Sequence, residues 1–268
     1  MSAIHEDAVL IAKDVAAGYP GRLILKGVTV AIHRGKITCI IGGSGCGKST
    51  FLRTTVGLLE PARGEVWLLG KRLQDLAEDD RASHLSRVGL MFQYGALLNS
   101  LTIAENLSIP LRAHTQLAPE VIAEATVLKA GLVHLTHALD LLPGELSGGM
   151  RKRAGLARAL MLDPEVVMCD EPSAGLDPLT AADLDNLILQ LRDLLGITVV
   201  VVTHELSSIR AIADRIVMLD QGLVHFDGTL DEALASEDSK LMAFFGREAA
   251  DLPRKGITLL EALQGGTP

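Results

Sequence analysis

The chain is 268 residues long, 48% hydrophobic and only 3% aromatic, with a formal net charge of −8 and three cysteines. That length suits one large domain, or one domain carrying an inserted subdomain, with ample aliphatic residues for a core. The acidic balance excludes a protein clothed in a nucleic-acid-binding surface. No apolar run approaches the roughly 20 residues of a spanning helix, and Cys39, Cys46 and Cys169 form no C-x-x-C pair, which points to a reduced, cytoplasmic compartment.

The first ten residues carry His5, Glu6 and Asp7, so no basic-then-apolar export signal is expected. Residues 9–16 and 23–32 read as strands joined by a turn at Gly18-Tyr19-Pro20-Gly21. An aromatic such as Tyr19 in that turn either stacks on a planar ligand or packs locally. Next comes a strand–loop–helix unit over 37–58, and residues 64–70 read as a further strand closed by glycine. Residues 88–92 form a strand-like run that ends at Gln93. From about 95 to 160 the pattern becomes helical, with Val121, Ile122, Ala125 and Leu128 repeating at helical spacing, which predicts a small helical insertion. Continuous apolar strands at 166–169 and 198–202, each opening into a helix, predict a parallel sheet covered on both faces.

The residues at 42–49 are Gly42-Gly43-Ser44-Gly45-Cys46-Gly47-Lys48-Ser49, which fit G-x-x-x-x-G-K-[ST] without a mismatch. With glycine at about 7% of residues, a chance match arises in roughly one such chain in a hundred. The apolar strand before it and the helix opening at Thr50 supply the context that gives the motif meaning. Its glycines let backbone N–H groups line an anion nest at a helix N-terminus. Lys48 can reach the β- and γ-phosphates, and the Ser49 hydroxyl can ligate Mg²⁺. A nucleoside triphosphate site is the expectation.

Four further features carry chemistry. Leu146-Ser147-Gly148-Gly149-Met150 opens a helix with a good cap residue and two glycines that expose first-turn amides. Residues 166–171 are a buried strand ending in Asp170 and Glu171, a pair suited to a Mg²⁺ shell and to polarising an attacking water. His204 follows the strand at 198–202, so it faces the ligand crevice at the carboxyl edge of a parallel sheet. Gln93 has an amide able to bind Mg²⁺ or water at the seam before the helical insertion. The run Arg151-Lys152-Arg153 reads as a solvated helix face.

The order Tyr19, 42–49, Gln93, Leu-Ser-Gly-Gly, Asp170-Glu171, Asp177, His204 resembles the ATP-binding-cassette ATPases over residues 8–245. The resemblance implies an α/β P-loop NTPase core with a mainly parallel sheet, an N-terminal antiparallel β subdomain and an inserted α-helical subdomain at roughly 95–160. It implies ATP and Mg²⁺ as cofactors. Tyr19 matches the A-loop aromatic, Gln93 the Q-loop, Glu171 the general base and His204 the switch histidine. Ser147, Gly148 and Gly149 match the signature that grips ATP bound to a second copy, in a head-to-tail pair. Asp177 matches the D-loop acid. Met150 departs from the Gln found in many members.

Within that family, Phe92-Gln93-Tyr94-Gly95-Ala96-Leu97 and Ile109-Pro110-Leu111-Arg112 resemble the MlaF-like ATPases of MCE-type lipid transporters. This implies lipid movement in a bacterial envelope, with an integral-membrane permease, an MCE-domain protein and a STAS-domain protein as partners. The expected place is the cytoplasmic face of the inner membrane. The alternatives are a solute-importer ATPase and a non-transport ABC ATPase such as one for iron–sulfur assembly. Residues 246–268 read as an extension in which Leu252, Ile257, Leu259, Leu260 and Leu263 either dock on a second copy or a partner, or remain without fixed structure.

Overall fold

The computed structural model describes residues 7–246 apart from Tyr94. The extension read at 246–268 therefore lies, apart from Gly246, outside the described residues. Residue contacts divide the chain into one compact unit through Leu230 and a second from Asp231.

The first unit holds two sheets. In the smaller one, β1 (Ala8–Tyr19), β2 (Arg22–His33), β4 (Arg63–Leu68) and β5 (Lys71–Arg72) are arranged in the order β2-β1-β4-β5. The β1–β2, β1–β4 and β4–β5 pairs are all antiparallel, which matches the antiparallel N-terminal subdomain expected. Tyr19 is the last residue of β1, paired with Arg22, rather than part of a four-residue turn. Pro20 and Gly21 alone close the hairpin, because Gly21 adopts φ 76, which lets the chain reverse within two residues. The single strand expected at 64–70 is likewise cut short. Leu69 (φ 46) and Gly70 (φ 80) turn the chain into β5.

The larger sheet has six strands: β3 (Ile37–Ile41), β6 (Val88–Met91), β7 (Val166–Asp170), β8 (Thr198–Val202), β9 (Arg215–Asp220) and β10 (Leu223–Thr229). Their order is β10-β9-β3-β8-β7-β6. Every pair from β9 to β6 is parallel and only the β9–β10 hairpin is antiparallel. Every residue of β3 and β8 is buried, as the continuous apolar runs required. The β9–β10 hairpin is an element the sequence reading did not find. Its turn signal is Gln221-Gly222, both at positive φ (48 and 84), the backbone that tight hairpins demand.

Helices connect these strands. They are α1 (Lys48–Thr55), α2 (Glu78–Leu85), α3 (Ile103–His114), α4 (Pro119–Leu132), α5 (Gly148–Ala159), α6 (Pro178–Leu195) and α7 (Leu206–Ile212). Helices α3 to α5 fall between β6 and β7, in the helical insertion. A capping box starts α3: Thr102 accepts from the Glu105 N–H, and the Glu105 carboxylate accepts from the Thr102 N–H. Asn106, fully buried, then binds the carbonyls of Leu98, Leu101 and Thr102 and the N–H of Leu98. One amide side chain thereby fixes the loop that links Gln93 to the insertion. The core of the unit is mainly aliphatic, built from Leu10, Val28, Ile40, Val200 and Val217 among others, with Phe51 as an aromatic member.

Helix α8 runs Leu230–Ala235, its first residue ending the first unit, and α9 runs Ser239–Phe245 in the second. Asp238 caps α9 through the N–H groups of Lys240 and Leu241. Phe244 and Phe245 meet edge to face, with ring centroids 5.4 Å apart.

Candidate nucleotide site

The site grows from the carboxyl edge of the parallel strands. Strand β3 delivers the loop 42–47, and α1 opens at Lys48 with Gly47 as its N-cap. Gly42 (φ 143), Gly45 (φ 75) and Gly47 (φ 115) take backbone conformations that favour glycine. A Cβ on Gly42 would lie 2.2 Å from the Leu219 carbonyl and 2.7 Å from Cys46 Sγ. The loop is also pinned from the unread hairpin, since the Gly222 N–H donates to the Cys46 carbonyl at 3.2 Å. Cys46 is buried, and burial pushes its thiol up. It is thus a packed wall of the loop, while Gly43, Ser44, Gly45 and Ser49 face outward. Thr50 is buried, and its carbonyl accepts from the Thr54 hydroxyl. Lys48 Nζ donates to the carbonyls of Gly42 (2.9 Å) and Gly43 (3.3 Å), so its ammonium lies over the cradle.

Strand β7 ends in Asp170, and Glu171 follows it. Burial, then the neighbouring Glu171 charge, raises the Asp170 carboxyl above its usual range, against Arg53, Lys48 and Lys152. Glu171 adopts φ 49, uncommon for a residue with a side chain, and its N–H donates to the Val202 carbonyl at 2.8 Å. Its Oε1 lies 2.8 Å from His204 Nδ1. Its Oε2 is buried with no hydrogen-bond partner. A buried carboxylate oxygen left unpaired costs stability unless something else fills its lone pairs, so this orphan atom marks where a water or ligand hydrogen belongs. His204 is 59% exposed, so its ring can meet a ligand.

The structure therefore gathers loop 42–50 after β3, His204 after β8, Asp170 and Glu171 at β7 and Gln93 after β6 on one edge of adjacent strands. Tyr19 reaches the same helix by another route. Its hydroxyl accepts from Arg53 of α1 at 2.9 Å, and the residue is 47% exposed.

The Leu-Ser-Gly-Gly segment has different neighbours. Ser147 caps α5 by accepting from the Met150 N–H at 3.2 Å. A Cβ on Gly148 would meet Leu176 at 3.3 Å, and one on Gly149 would meet Thr180 Cγ2 at 2.5 Å. These glycines let α5 pack onto the start of α6. There Asp177 accepts from the N–H groups of Leu179 and Thr180 and from the Thr180 hydroxyl. Those bonds hold its carboxyl below the usual range.

One reading is corrected. Lys152 is not on a solvated face: it is 8% exposed, and its Nζ donates to the carbonyls of Gln93 (2.5 Å) and Glu171 (2.7 Å). Its neighbour Arg151 is exposed and bonds the Leu146 carbonyl at 2.6 Å. The signal was in the spacing, because Lys152 shares a helical face with the buried Gly149, Leu156 and Ala159. Arg53 carried no comparable signal, since nothing in the sequence brings α1 to the end of β1.

The donor set suits a nucleoside triphosphate with a hard divalent cation. Amides and Lys48 line the loop, and Ser49, Asp170 and Gln93 offer oxygen ligands. Among the described residues no cluster of three or more His, Cys, Asp or Glu could hold a metal by itself. That fits an ion of the Mg²⁺ type, which binds through one or two protein oxygens plus phosphates and water.

Comparison with known proteins shows the family and the fold. The ABC transporter family model matches residues 25–174. The intermembrane phospholipid transport system ATP-binding protein MlaF of Haemophilus influenzae is 36% identical over 228 residues, covering 85% of this chain and 86% of that protein. A probable ribonucleotide transport ATP-binding protein, mkl of Mycobacterium bovis, is 37% identical over 82% of this chain but only 62% of its own length. Among solved structures, the post-hydrolysis dimer of the ATP-binding cassette MJ0796 with ADP and Pi has a TM-score of 0.75 and 30% identity, covering 82% of this chain and 98% of that one. The cbiO1 component of the Clostridium perfringens cbiONQ transporter has a TM-score of 0.79 and 26% identity over 97% of this chain.

Proposed function

The chain belongs to the ABC transporter family and is an ATPase, and from that premise we propose that it powers phospholipid movement between membranes of a bacterial envelope. The observation that carries the reading is the likeness to MlaF phospholipid transport ATPases over most of both chains. The Phe92–Leu97 and Ile109–Arg112 segments point the same way. The likeness to a probable ribonucleotide transport protein supports a second reading, a solute transporter, but over a smaller share of that relative.

The residues divide the work as follows. The amides of loop 42–47, with Lys48, hold the phosphates of ATP, and Tyr19, braced by Arg53, offers its ring to the adenine. Ser49, Asp170 and Gln93 would hold Mg²⁺, which supplies charge neutralisation at the phosphates. Glu171 accepts a proton from the attacking water through its unpaired Oε2, while His204 holds Oε1 and thereby sets the plane of the carboxylate. The cassette works as a head-to-tail pair, in which Ser147, Gly148 and Gly149 of one copy present helix-start amides to ATP held by the other. Closure satisfies amides and phosphate together, and hydrolysis releases them. No helix among the described residues is long and apolar enough to cross a membrane. Membrane attachment would run through an integral-membrane permease, with an MCE-domain protein and a STAS-domain protein as further subunits.

Purification of the native complex with identification of its subunits and bound lipids tests the reading. An MCE-domain subunit and co-purifying phospholipid are expected. A periplasmic solute receptor in their place would favour the solute reading and overturn this one.

A further inference from the structure

Lys152 brings together three segments that the reaction uses. It lies five residues along α5 from the Ser147 cap, about 7.5 Å of helix. It donates to the carbonyl of Gln93, just beyond β6, and to the carbonyl of Glu171, just beyond β7. Burial lowers the affinity of its amine for a proton, against the opposing pull of Glu171 and Asp170. Desolvating that ammonium is costly, and its two carbonyl hydrogen bonds together with the nearby Glu171 and Asp170 charges offset the cost.

What the lysine does hold is the backbone of the base. The Glu171 N–H is fixed by the Val202 carbonyl, and its C=O accepts from Lys152 Nζ at 2.7 Å and, at a longer 3.3 Å, from the Ala174 N–H, so both polar groups of this left-handed residue are pinned. The shorter of the pins on the carbonyl comes from α5. Helix α5 also grips the loop after Gln93: Arg158 donates to the carbonyls of Gly95 (3.1 Å) and Ala96 (2.5 Å). The absence of a side chain on Gly155 admits Gly95, whose Cα would lie 3.0 Å from a Cβ there. A displacement of α5 at its glycine end is thus felt at Gln93 and Glu171 through one rigid helix.

We propose that Lys152 is a positioning residue that ties the catalytic geometry of Glu171 to the placement of α5, so that the base is aligned only when the Ser147–Gly149 end of that helix is engaged. This rests on the functional reading above. Lys152 touches no reacting atom. It acts through the Glu171 main chain.

The test is steady-state ATP hydrolysis by the protein in its native complex, with ATP affinity measured separately by calorimetry. Lys152→Met removes the tie while keeping length and apolar volume. It is expected to lower kcat at least tenfold and leave the ATP Kd within threefold, with a modestly lower melting temperature from the carbonyls that lose their donor. Lys152→Gln, whose amide can donate to the same carbonyls, is expected to recover most of the lost rate. Lys152→Ala is the second deletion and is expected to show the same split between kcat and Kd. The proposal is overturned if Met keeps kcat within twofold, if rate and affinity fall together, if Gln is as slow as Met, or if both deletions fail to fold. Wild type and Glu171→Gln serve as controls. A wild type without turnover, or a Glu171→Gln variant with full turnover, would defeat the functional reading, whereas normal controls with insensitive Lys152 variants defeat only this inference.

Discussion

Glu171→Gln is the substitution that most directly tests the assigned chemistry. The amide keeps the shape of the carboxylate, so it can occupy the same place between His204 and the crevice. With Nδ1 of His204 donating, the retained oxygen stays where Oε1 was, 2.8 Å away. The NH₂ group then replaces the buried, unpartnered Oε2. A site that could accept a proton from water becomes one that can only donate. Loss of a general base costs about 10²–10⁴ in rate, or roughly 2.7–5.4 kcal/mol of barrier. The swapped amide is itself a buried donor needing an acceptor, which phosphate oxygens would supply. ATP should accordingly bind as well as to wild type or better, and the bound pair should persist as a closed dimer. Phosphate release gives the first quantity, calorimetry the second, and size-exclusion chromatography with and without ATP the third. Turnover within a few-fold of wild type would refute the role given to Glu171. A parallel loss of ATP affinity would instead make it a binding residue.

Other outcomes follow from particular contacts. Lys48→Ala removes charge-assisted hydrogen bonds worth about 1.5–3 kcal/mol each, so calorimetry should find ATP affinity weaker by about a hundredfold; unchanged affinity would remove Lys48 from the site. Gly149→Ala places a methyl 2.5 Å from Thr180 Cγ2, while the Thr180 hydroxyl is held by Asp177. The clash should cost roughly 1–3 kcal/mol of stability in thermal unfolding, and Thr180→Ser, which deletes only the offending methyl, should restore it. Asp185, buried on α6 with Oδ1 unpartnered, is pushed up to about 6 by burial, against a hydrogen bond from Ser208. Its folded-state pKa is raised, so the stability it contributes is present below the unfolded value near 4 and is lost as pH rises through about 6. Asp185→Asn should therefore raise the melting temperature more at pH 8 than at pH 4.5, and a pH-independent difference would rule out a buried charge.

The parts legible in the sequence were those whose signal is local. A P-loop is contiguous, a buried strand is a run of aliphatic residues, and Asp170-Glu171 stand at the end of one. Strands β3 and β8 and the antiparallel first sheet follow from such runs. The missed parts depend on contacts between distant segments. The β9–β10 hairpin begins some 170 positions after loop 42–47, yet its Leu219 carbonyl and Gly222 N–H shape that loop. Arg53 meets Tyr19 across 34 positions, and Lys152 reaches Gln93 across 59. Lys152 was misread for a definite reason. Charge in a row of three basic residues outweighed the helical register, although the register alone assigns the middle residue to the buried face.

The placement of the two phosphate-type helix starts bears on why the cassette needs a second copy. The amides ahead of α1 open beside Asp170, Glu171 and His204, where hydrolysis can occur. Those at the start of α5 open beside Leu176 and Thr180. Ser147 takes up the Met150 N–H, leaving the N–H groups of the glycines without intrahelical acceptors. A helix start with glycines, no acidic residue in its first turn and basic residues just behind favours an anion. Within one chain that anion has no lysine of the P-loop kind. In the head-to-tail pair proposed above, a second cassette would supply it with its own Lys48, and α5 would carry the consequence inward through Lys152. On that proposal, binding energy at one copy's signature end is converted into alignment of that same copy's Glu171, and hydrolysis becomes conditional on closure.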